Sequence, residues 1–164
     1  MSFGDPPGMA ADLRALREDS APPAGLEITP VVDEAGLWQW VAAMGPAFDD
    51  ESRRAHFELY ASLGLGADLP WRHYLGRLEG APVAAASLFL GAGVAGIYNV
   101  AVEPRVRRRG IGSAITLAAL RAARDEGFAT VVLQSSGAGV RLYQRLGFVE
   151  CCRMGQHSPR YGAP

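Results

Sequence analysis

The chain has 164 residues, of which 49% are hydrophobic and 20% are charged, and its net charge is −1. These totals are typical of one globular domain that buries a core without disulfide or metal support, and the near-neutral charge disfavours nucleic acid and anionic membrane as partners. No apolar stretch approaches the ~18 residues of a membrane span, and residues 1–11 lack the apolar segment of a signal peptide, so we expect a cytoplasmic protein.

The N-terminal segment is rich in Pro, Gly, Ala and Ser. Its composition predicts that residues 1–25 form an arm or linker, with a short helix over residues 10–18. We place the folded domain at residues 26–158 and a C-terminal tail at residues 159–164.

The first regular elements are a strand and two capped helices. Residues 26–32 alternate in polarity, which predicts a strand. Asp33 is a predicted N-cap for a helix over residues 34–44. An aspartate at position 49 or 50 is predicted to cap a second helix that ends near Leu63.

The rest of the chain contains a run of three predicted strands, followed by alternating strands and helices. Three strands joined by glycine-containing turns predict an antiparallel meander over residues 71–79, 82–90 and 96–102. The later predicted elements are a helix over 111–126, a strand over 129–134, a helix over 140–146 and a strand from Phe148. A parallel pair with a right-handed crossover follows, so we expect a mixed sheet with helices on both faces.

The segment from Val100 to Ser113 carries the strongest chemical signal. It runs from the end of a predicted strand, through three consecutive arginines, into the predicted long helix. The first amides of a helix lack internal partners and the helix dipole adds positive charge there, so a phosphate ester fits such a site. Gly110 and Gly112 allow the backbone to approach a ligand closely.

Two other phosphate motifs fit this segment poorly. A Walker loop requires Lys, and all sixteen basic residues of this chain are Arg. A dinucleotide-binding fingerprint requires a third small residue where Ile115 stands. A solvated Arg-rich turn with ordinary glycines remains an alternative, and so does a small anion- or RNA-binding protein, which the net charge disfavours.

Two motifs give a resemblance to a known family. Arg107-x-x-Gly110-x-Gly112 resembles the Q/R-x-x-G-x-G/A signature of the GNAT superfamily of N-acetyltransferases, and the stretch from Leu142 to Phe148 resembles the L-Y-x-x-L-G-F ending of that family. The resemblance covers residues 80–150 well and residues 26–79 only in the order of elements. It implies an α+β fold with a mixed central sheet of six to seven strands and four flanking helices. The sheet is expected to splay between the strands at 96–102 and 129–134.

The resemblance also implies a cosubstrate, acetyl-CoA, and its binding residues. Backbone groups of Val100, Ala101 and Val102 are expected to pair with the pantetheine arm. Amides of the following turn are expected to hold the diphosphate, with Arg107 attracting it, so the predicted binding residues there are Arg107, Arg108, Arg109, Gly110, Ile111, Gly112 and Ser113. Ser136, where the family often has Asn, is expected to contact the pantetheine with a shorter reach. No metal is expected.

Tyr143 is the candidate catalytic residue. In the family, the matching tyrosine donates a proton to the departing CoA thiolate, and a phenol with a pKa near ~10 is protonated at neutral pH. The alternative is an aromatic packing residue on an amphipathic helix. Gly139 stands where Ala is usual, so the helix that carries Tyr143 is expected to start late.

A general base is harder to identify. Some relatives place a Glu on the central strand, and the matching residue here is Gly96. Glu58, His56 and His73 are candidates, and a water-relayed base or an amine that arrives neutral are the alternatives. The expected reaction is direct attack of a primary amine on the thioester, in which positioning supplies much of the rate. The alternative is a non-catalytic module of the same fold that binds acyl-CoA.

The acceptor side shows only general features. Aromatic residues of the first half are expected to line it or to pack in the core: Trp38, Trp40, Phe48, Phe57, Tyr60 and Trp71. The acceptor is expected to be a small-molecule or peptide amine, and a homodimer through an exposed sheet edge remains open. Asn99 lies inside a predicted strand, where Asn is disfavoured, which indicates a polar partner. We expect Cys151 and Cys152 to serve in packing and not in a metal site.

Overall fold

The computed structural model describes residues 5–18, 21–45 and 49–155. The strands found there are β1 (Pro7–Asp12), β2 (Leu26–Pro30), β3 (Trp71–Leu78), β4 (Ala81–Gly91), β5 (Val94–Val102), β6 (Thr130–Gln134) and β7 (Val149–Arg153). The α-helices found there are α1 (Glu34–Ala43), α2 (Asp50–Leu63), α3 (Ile111–Asp125) and α4 (Val140–Leu146). The predicted mixed α+β architecture is confirmed, and from β2 onward each element begins and ends within two residues of its predicted bounds.

The seven described strands form one sheet in the order β2-β3-β4-β5-β6-β1-β7. Only β5 and β6 run parallel among these neighbours, which confirms the predicted crossover through α3. Because strand side chains alternate between faces, Leu75 and Ala85 pack with α1 and α2, while Tyr74 and Ala84 pack on the face that α3 covers. The sheet therefore separates two apolar clusters.

Both predicted aspartate caps are present. The Gly36 amide donates to the Asp33 carboxylate at 2.7 Å, and the Ser52 amide donates to the Asp49 carboxylate at 2.8 Å. Each contact satisfies an amide that the first helical turn leaves unpaired. The caps explain why the starts of α1 and α2 could be predicted closely.

A gap opens between β5 and β6. The two strands pair only from Ala95 to Ile97 on the β5 side, although β5 continues to Val102. At the point where the pairing ends, β5 also changes register with β4, so that Asn99 and Val100 face the single residue Ala86. Such a bulge bends the strand that carries the extra residue, and the bend takes β5 away from β6. The predicted splay thus has a local cause.

The N-terminal predictions were wrong. Residues 7–12 form β1 instead of the predicted arm and helix, and β1 pairs with β6 on one side and with β7 on the other. Met9, Ala11 and Leu13 are buried in alternation, a period of two that fits a strand and not a helix. The strand prevails because it satisfies the backbone groups of two neighbours that would otherwise lie at sheet edges.

The remaining boundary predictions concern the chain ends. The predicted tail at residues 159–164 and the predicted domain limit at 158 lie outside the described residues, whereas β1 extends the sheet to the N-terminal side of the predicted limit at 26. Among the helices that the structure describes, none combines the length and the apolar character that a membrane span requires.

Candidate active site

Three backbone amides at the start of α3 have no partner in the described part of the chain. The N-cap is Gly110, which has no side chain that could accept a hydrogen bond. The first bond of this turn joins the Ala114 amide to the Gly110 carbonyl at 3.0 Å, so the amides of residues 111–113 remain free. Unpaired amides together with the positive end of the helix dipole form a site for an anion.

The loop before α3 adds to this site. Arg108 and Gly110 are both left-handed, with φ of 62° and 83°. Left-handed residues that alternate with other conformations turn successive amides toward one side, which makes a concave surface that binds anions. A non-glycine residue in this conformation costs about 1–2 kcal/mol, and strain of this kind concentrates at functional sites.

Gly112 and Ile111 have different surroundings. A Cβ at Gly112 would lie 2.9 Å from Leu142 Cδ1 and 3.6 Å from Val102 Cγ2, so the glycine allows α4 and the end of β5 to close against the start of α3. The side chain of Ile111 is 1% exposed and packs in the core, so that only its backbone amide is available to a ligand. Ser113 is half-buried beside them.

These groups open on one cleft of about 490 Å³ between β5, α3 and α4. The cleft brings together ten of the predicted binding residues and the candidate catalytic residue: Val100, Ala101, Val102, Arg107, Arg108, Gly110, Ile111, Gly112, Ser113, Ser136 and Tyr143. Arg109, which was also predicted to bind, is exposed and does not line the cleft.

Two arginines of α4 belong to the cleft and were missed by sequence reasoning. Arg141 and Arg145 are four positions apart, so they share one face of the helix, and both line the cleft together with Arg107 and Arg108. None of these four forms an ion pair with a described carboxylate. Their charge is therefore available to an anionic ligand. Their spacing was a signal, but only the docking of α4 shows which surface they face.

Tyr143 is buried, with 8% of its surface exposed, and its ring packs edge-on against Phe148 at 5.7 Å. Burial raises the pKa of its hydroxyl to about 12. The hydroxyl has no hydrogen-bond partner among the described residues, although the side chain lines the cleft. The side chain that lines the cleft thus carries a protonated hydroxyl with no acceptor among the described residues.

Gly139 makes room for Tyr143. A Cβ at Gly139 would lie 2.9 Å from Cε2 of the Tyr143 ring and 3.0 Å from the Ser135 hydroxyl oxygen. The helix α4 begins only at Val140, which confirms the predicted late start. The departure from Ala at this position therefore has a steric reason.

A buried polar chain lies on the face of the sheet that α1 and α2 cover. His73 is 1% exposed and its Nδ1 lies 2.8 Å from the Ser87 hydroxyl. Asn99 donates to the Tyr60 hydroxyl at 2.7 Å and to Ser87 at 3.2 Å, so its predicted polar partners exist. Asn99 is also left-handed at the bulge, with φ of 53°, a conformation that Asn tolerates better than most residues.

Enclosure makes His73 a poor general base. Its ring lies among Trp40, Tyr60 and Trp71, and burial lowers its pKa to about 4. Glu58 is exposed on α2, and His56 on the same helix contacts the Ser52 carbonyl through Nδ1 at 2.8 Å. At Gly96 a Cβ would meet the Tyr98 ring at 2.6 Å, so an aromatic ring occupies the position of the missing Glu.

Other predicted acceptor residues divide between core and surface. Trp40 and Tyr60 are buried, whereas Trp38 is 46% exposed and stacks on Phe57. Phe48 lies outside the described residues. Cys151 and Cys152 are exposed residues, so neither packs in the core, although the Cys152 sulfur lies against Gly8. The described residues contain no cluster of His, Cys, Asp or Glu that could hold a metal ion.

Sequence comparison connects this geometry to known proteins. Residues 36–148 match the family model described as the acetyltransferase (GNAT) family. The mycothiol acetyltransferase of Nocardiopsis dassonvillei is 32% identical over an alignment that covers 88% of this chain and 50% of that protein. The mycothiol acetyltransferase of Rhodococcus erythropolis is 40% identical over 55 residues, 32% of this chain and 18% of that protein. The chain thus spans at most about half the length of these relatives.

Solved structures share the fold. A GCN5-related N-acetyltransferase from Kribbella flavida superposes with a TM-score of 0.69 at 25% identity, covering 92% of this chain and 56% of that one. An aminoglycoside N-acetyltransferase solved in complex with CoA superposes with a TM-score of 0.67 at 19% identity, covering 82% of this chain and 95% of that one.

Proposed function

The chain belongs to the GNAT family of acetyltransferases, and from that premise we propose that it transfers an acetyl group from acetyl-CoA to a primary amine. One observation carries the proposal: the three unpaired amides of α3, the unpaired end of β5 and the Tyr143 hydroxyl all open on one cleft. These groups fit acetyl-CoA, because backbone amides and arginines bind phosphates and an unpaired strand can hydrogen-bond to the amide groups of pantetheine.

The two ends of the cosubstrate would be bound by different elements. The amides of residues 111–113 would hydrogen-bond the diphosphate, and the four arginines of the cleft would attract it. The peptide groups from Val100 to Val102, which have no partner on β6, would pair with the amide groups of pantetheine as an added strand does. The thioester would then lie in the gap between β5 and β6.

The proposed reaction is a direct transfer in a ternary complex. The amine nitrogen forms a bond to the acetyl carbon, the carbon–sulfur bond breaks, and the sulfur leaves with the bonding electrons. The Tyr143 hydroxyl donates a hydrogen bond and then its proton to that sulfur, and it regains a proton that the nitrogen releases. The products are an N-acetylated amine and CoA with a free thiol, so atoms and charge balance.

The raised pKa of Tyr143 shapes its role. A phenol with a pKa of about 12 remains protonated wherever a typical alkyl amine begins to be neutral. It holds its proton more tightly than a thiol of pKa ~8.5 does, so hydrogen bonding to the developing negative charge precedes the proton transfer. Tyr143 is therefore a donor over the whole working pH range.

The acceptor is proposed as a small-molecule or peptide amine. Similar proteins are named for acetyl transfer to mycothiol or aminoglycosides, and these names belong to those proteins. A second candidate, a non-catalytic acyl-CoA-binding module, is favoured by the absence of a carboxylate at Gly96.

An assay of CoA thiol release against a panel of primary amines, run beside calorimetry with acetyl-CoA, separates the two candidates. Enzymatic transfer predicts binding together with amine-dependent thiol release. Binding without release for every amine would favour the sensing module, and absence of binding would remove both.

A further inference from the structure

A second opening lies at the same gap between β5 and β6, and no step proposed above uses it. We name it the apolar pocket. It has a volume of about 250 Å³ and lies where β1, β5, β6 and the end of β7 meet. Its walls include Gly8, Tyr98, Val132, Gln134, Cys152 and Met154.

The walls of the apolar pocket are uncharged. Among the described residues that line it there is no Asp, Glu, Arg or His, and its polar side chains there are the Gln134 amide and the Tyr98 hydroxyl. A cation that entered would lose hydration without gaining a carboxylate, which is unfavourable. An apolar group that entered would leave water for an apolar surface, which is favourable.

Two glycines give the apolar pocket its shape. A Cβ at Gly96 would lie 2.6 Å from Cε2 of Tyr98, so the Tyr98 ring lies over the glycine and forms one wall. A Cβ at Gly8 would lie 2.6 Å from the Cys152 sulfur, so that glycine admits the thiol on the opposite side. A larger residue at either position would therefore displace a side chain that lines the pocket.

The apolar pocket and the cleft are connected through the gap in the sheet. Tyr98 lines the pocket and Val100 lines the cleft, and only Asn99, at the bulge of β5, lies between them in the chain. Gln134 and Ser136 have the same relation on the β6 side. An acceptor substituent in the pocket would therefore place a nitrogen one or two bonds away beside the thioester.

We propose that the apolar pocket binds an uncharged aryl or alkyl substituent of the amine acceptor, so that preferred acceptors are monoamines with an apolar group and not polycations. The proposal rests on the proposed function for its chemistry. The volume suits it, since a cavity of about 150 Å³ already holds benzene, and 250 Å³ adds room for a short chain.

The first test compares two amines of different character. The value of kcat/KM for 2-phenylethylamine is expected to exceed that for 1,4-diaminobutane by about tenfold or more. Met154→Glu, which puts a carboxylate at the pocket rim, is expected to lower that ratio by about tenfold and to leave acetyl-CoA affinity unchanged. The matched control is Leu63→Glu, because Leu63 is 45% exposed and Met154 is 44% exposed, and Leu63 lies outside the pocket.

The second test needs no turnover. The thiols of Cys151 and Cys152 line the pocket and are free, so N-ethylmaleimide labelling followed by mass spectrometry reports on its occupancy. Added N-acetyl-2-phenylethylamine, the neutral product, is expected to slow labelling until the effect saturates. N-acetyl-1,4-diaminobutane is expected to leave the labelling rate unchanged.

The proposal would be overturned by a preference for 1,4-diaminobutane, by a ratio that Met154→Glu does not alter, or by labelling that the neutral product does not slow. Labelling that slows only as protein concentration rises, with a dimer in sedimentation, would assign the surface to a second copy and would also overturn it. Failure of the proposed function would appear separately, as absence of acetyl-CoA binding in calorimetry. The labelling test does not depend on that cosubstrate, so it reports on the apolar pocket alone.

Discussion

Replacing Tyr143 with phenylalanine removes one hydroxyl group and keeps the ring that packs against Phe148. The hydroxyl has no hydrogen-bond partner among the described residues, so its loss should change the free energy of unfolding by less than about 0.5 kcal/mol. Loss of a positioned proton donor costs about 10²- to 10⁴-fold in turnover, which equals about 3–5 kcal/mol. Acetyl-CoA affinity should change little.

The pH dependence of the parent enzyme gives an independent check. Burial raises the pKa of Tyr143 from 10.0 to about 12, a shift that corresponds to about 3 kcal/mol against ionisation. A general acid acts only when protonated, so activity should be lost only as pH rises through that value. The profile should therefore show no fall from Tyr143 ionisation between pH 9 and about 10.5.

The assay measures CoA thiol release under saturating acetyl-CoA, with calorimetry for cosubstrate affinity and thermal unfolding for stability. Tyr74→Phe is the matched control, because Tyr74 is also 8% exposed and burial also raises its pKa, yet it lies on β3 outside the cleft. Equal turnover for Tyr143→Phe and the parent protein would show that the Tyr143 hydroxyl is not the proton donor.

Three further predictions follow from the same geometry. Gly112→Asp should weaken acetyl-CoA binding about tenfold or more in calorimetry, because its Cβ would lie 2.9 Å from Leu142 and its carboxylate would place negative charge at a phosphate site. Gly112→Ala adds the Cβ without the charge and so measures the steric part alone. Unchanged affinity for both variants would contradict the phosphate assignment. Gly139→Ala should lower kcat more than it raises KM, since its Cβ would displace the Tyr143 ring from 2.9 Å; identical kinetics would show that the ring position is unimportant. Burial lowers the pKa of His73 from 6.5 to about 4, so as pH falls the unfolded chain takes up a proton on His73 before the folded chain does. The free energy of unfolding should therefore be unaffected by His73 above pH 6.5 and should fall by about 3 kcal/mol toward pH 4. Urea unfolding of His73→Gln should lack that part of the decline.

Local chemistry made much of the fold predictable. The starts of α1 and α2 follow from Asp33 and Asp49, whose side chains satisfy amides within three residues. The start of α3 follows from the glycine-containing turn before it, and the late start of α4 follows from Gly139. Each of these features depends on neighbours in sequence.

The errors concern contacts between distant residues. The strand β1 is defined by partners that are distant in the sequence, such as Gln134 for Gly8, and its short alternation competes with a weak helical pattern. Gly8 also creates the space for Cys152, which sequence alone does not indicate. The exposure of the thiols depends on how these strands meet.

In the candidate site, too, features set by neighbouring residues could be predicted and features set by distant contacts could not. The amides of residues 111–113 and Tyr143 could be predicted as candidates because the two motifs are local. Arg141 and Arg145 could not, because their role depends on which side of α4 faces the cleft. The exclusion of His73 as a base likewise required its burial among three aromatic rings.

The proposed function depends on free amides at the start of α3 binding the diphosphate of CoA. A crystal structure of the protein grown with CoA would show this contact or its absence. We expect diphosphate oxygens within about 2.7–3.2 Å of the amide nitrogens of Ile111, Gly112 or Ser113. Bound CoA whose phosphates contact other elements, with these amides facing water, would contradict it.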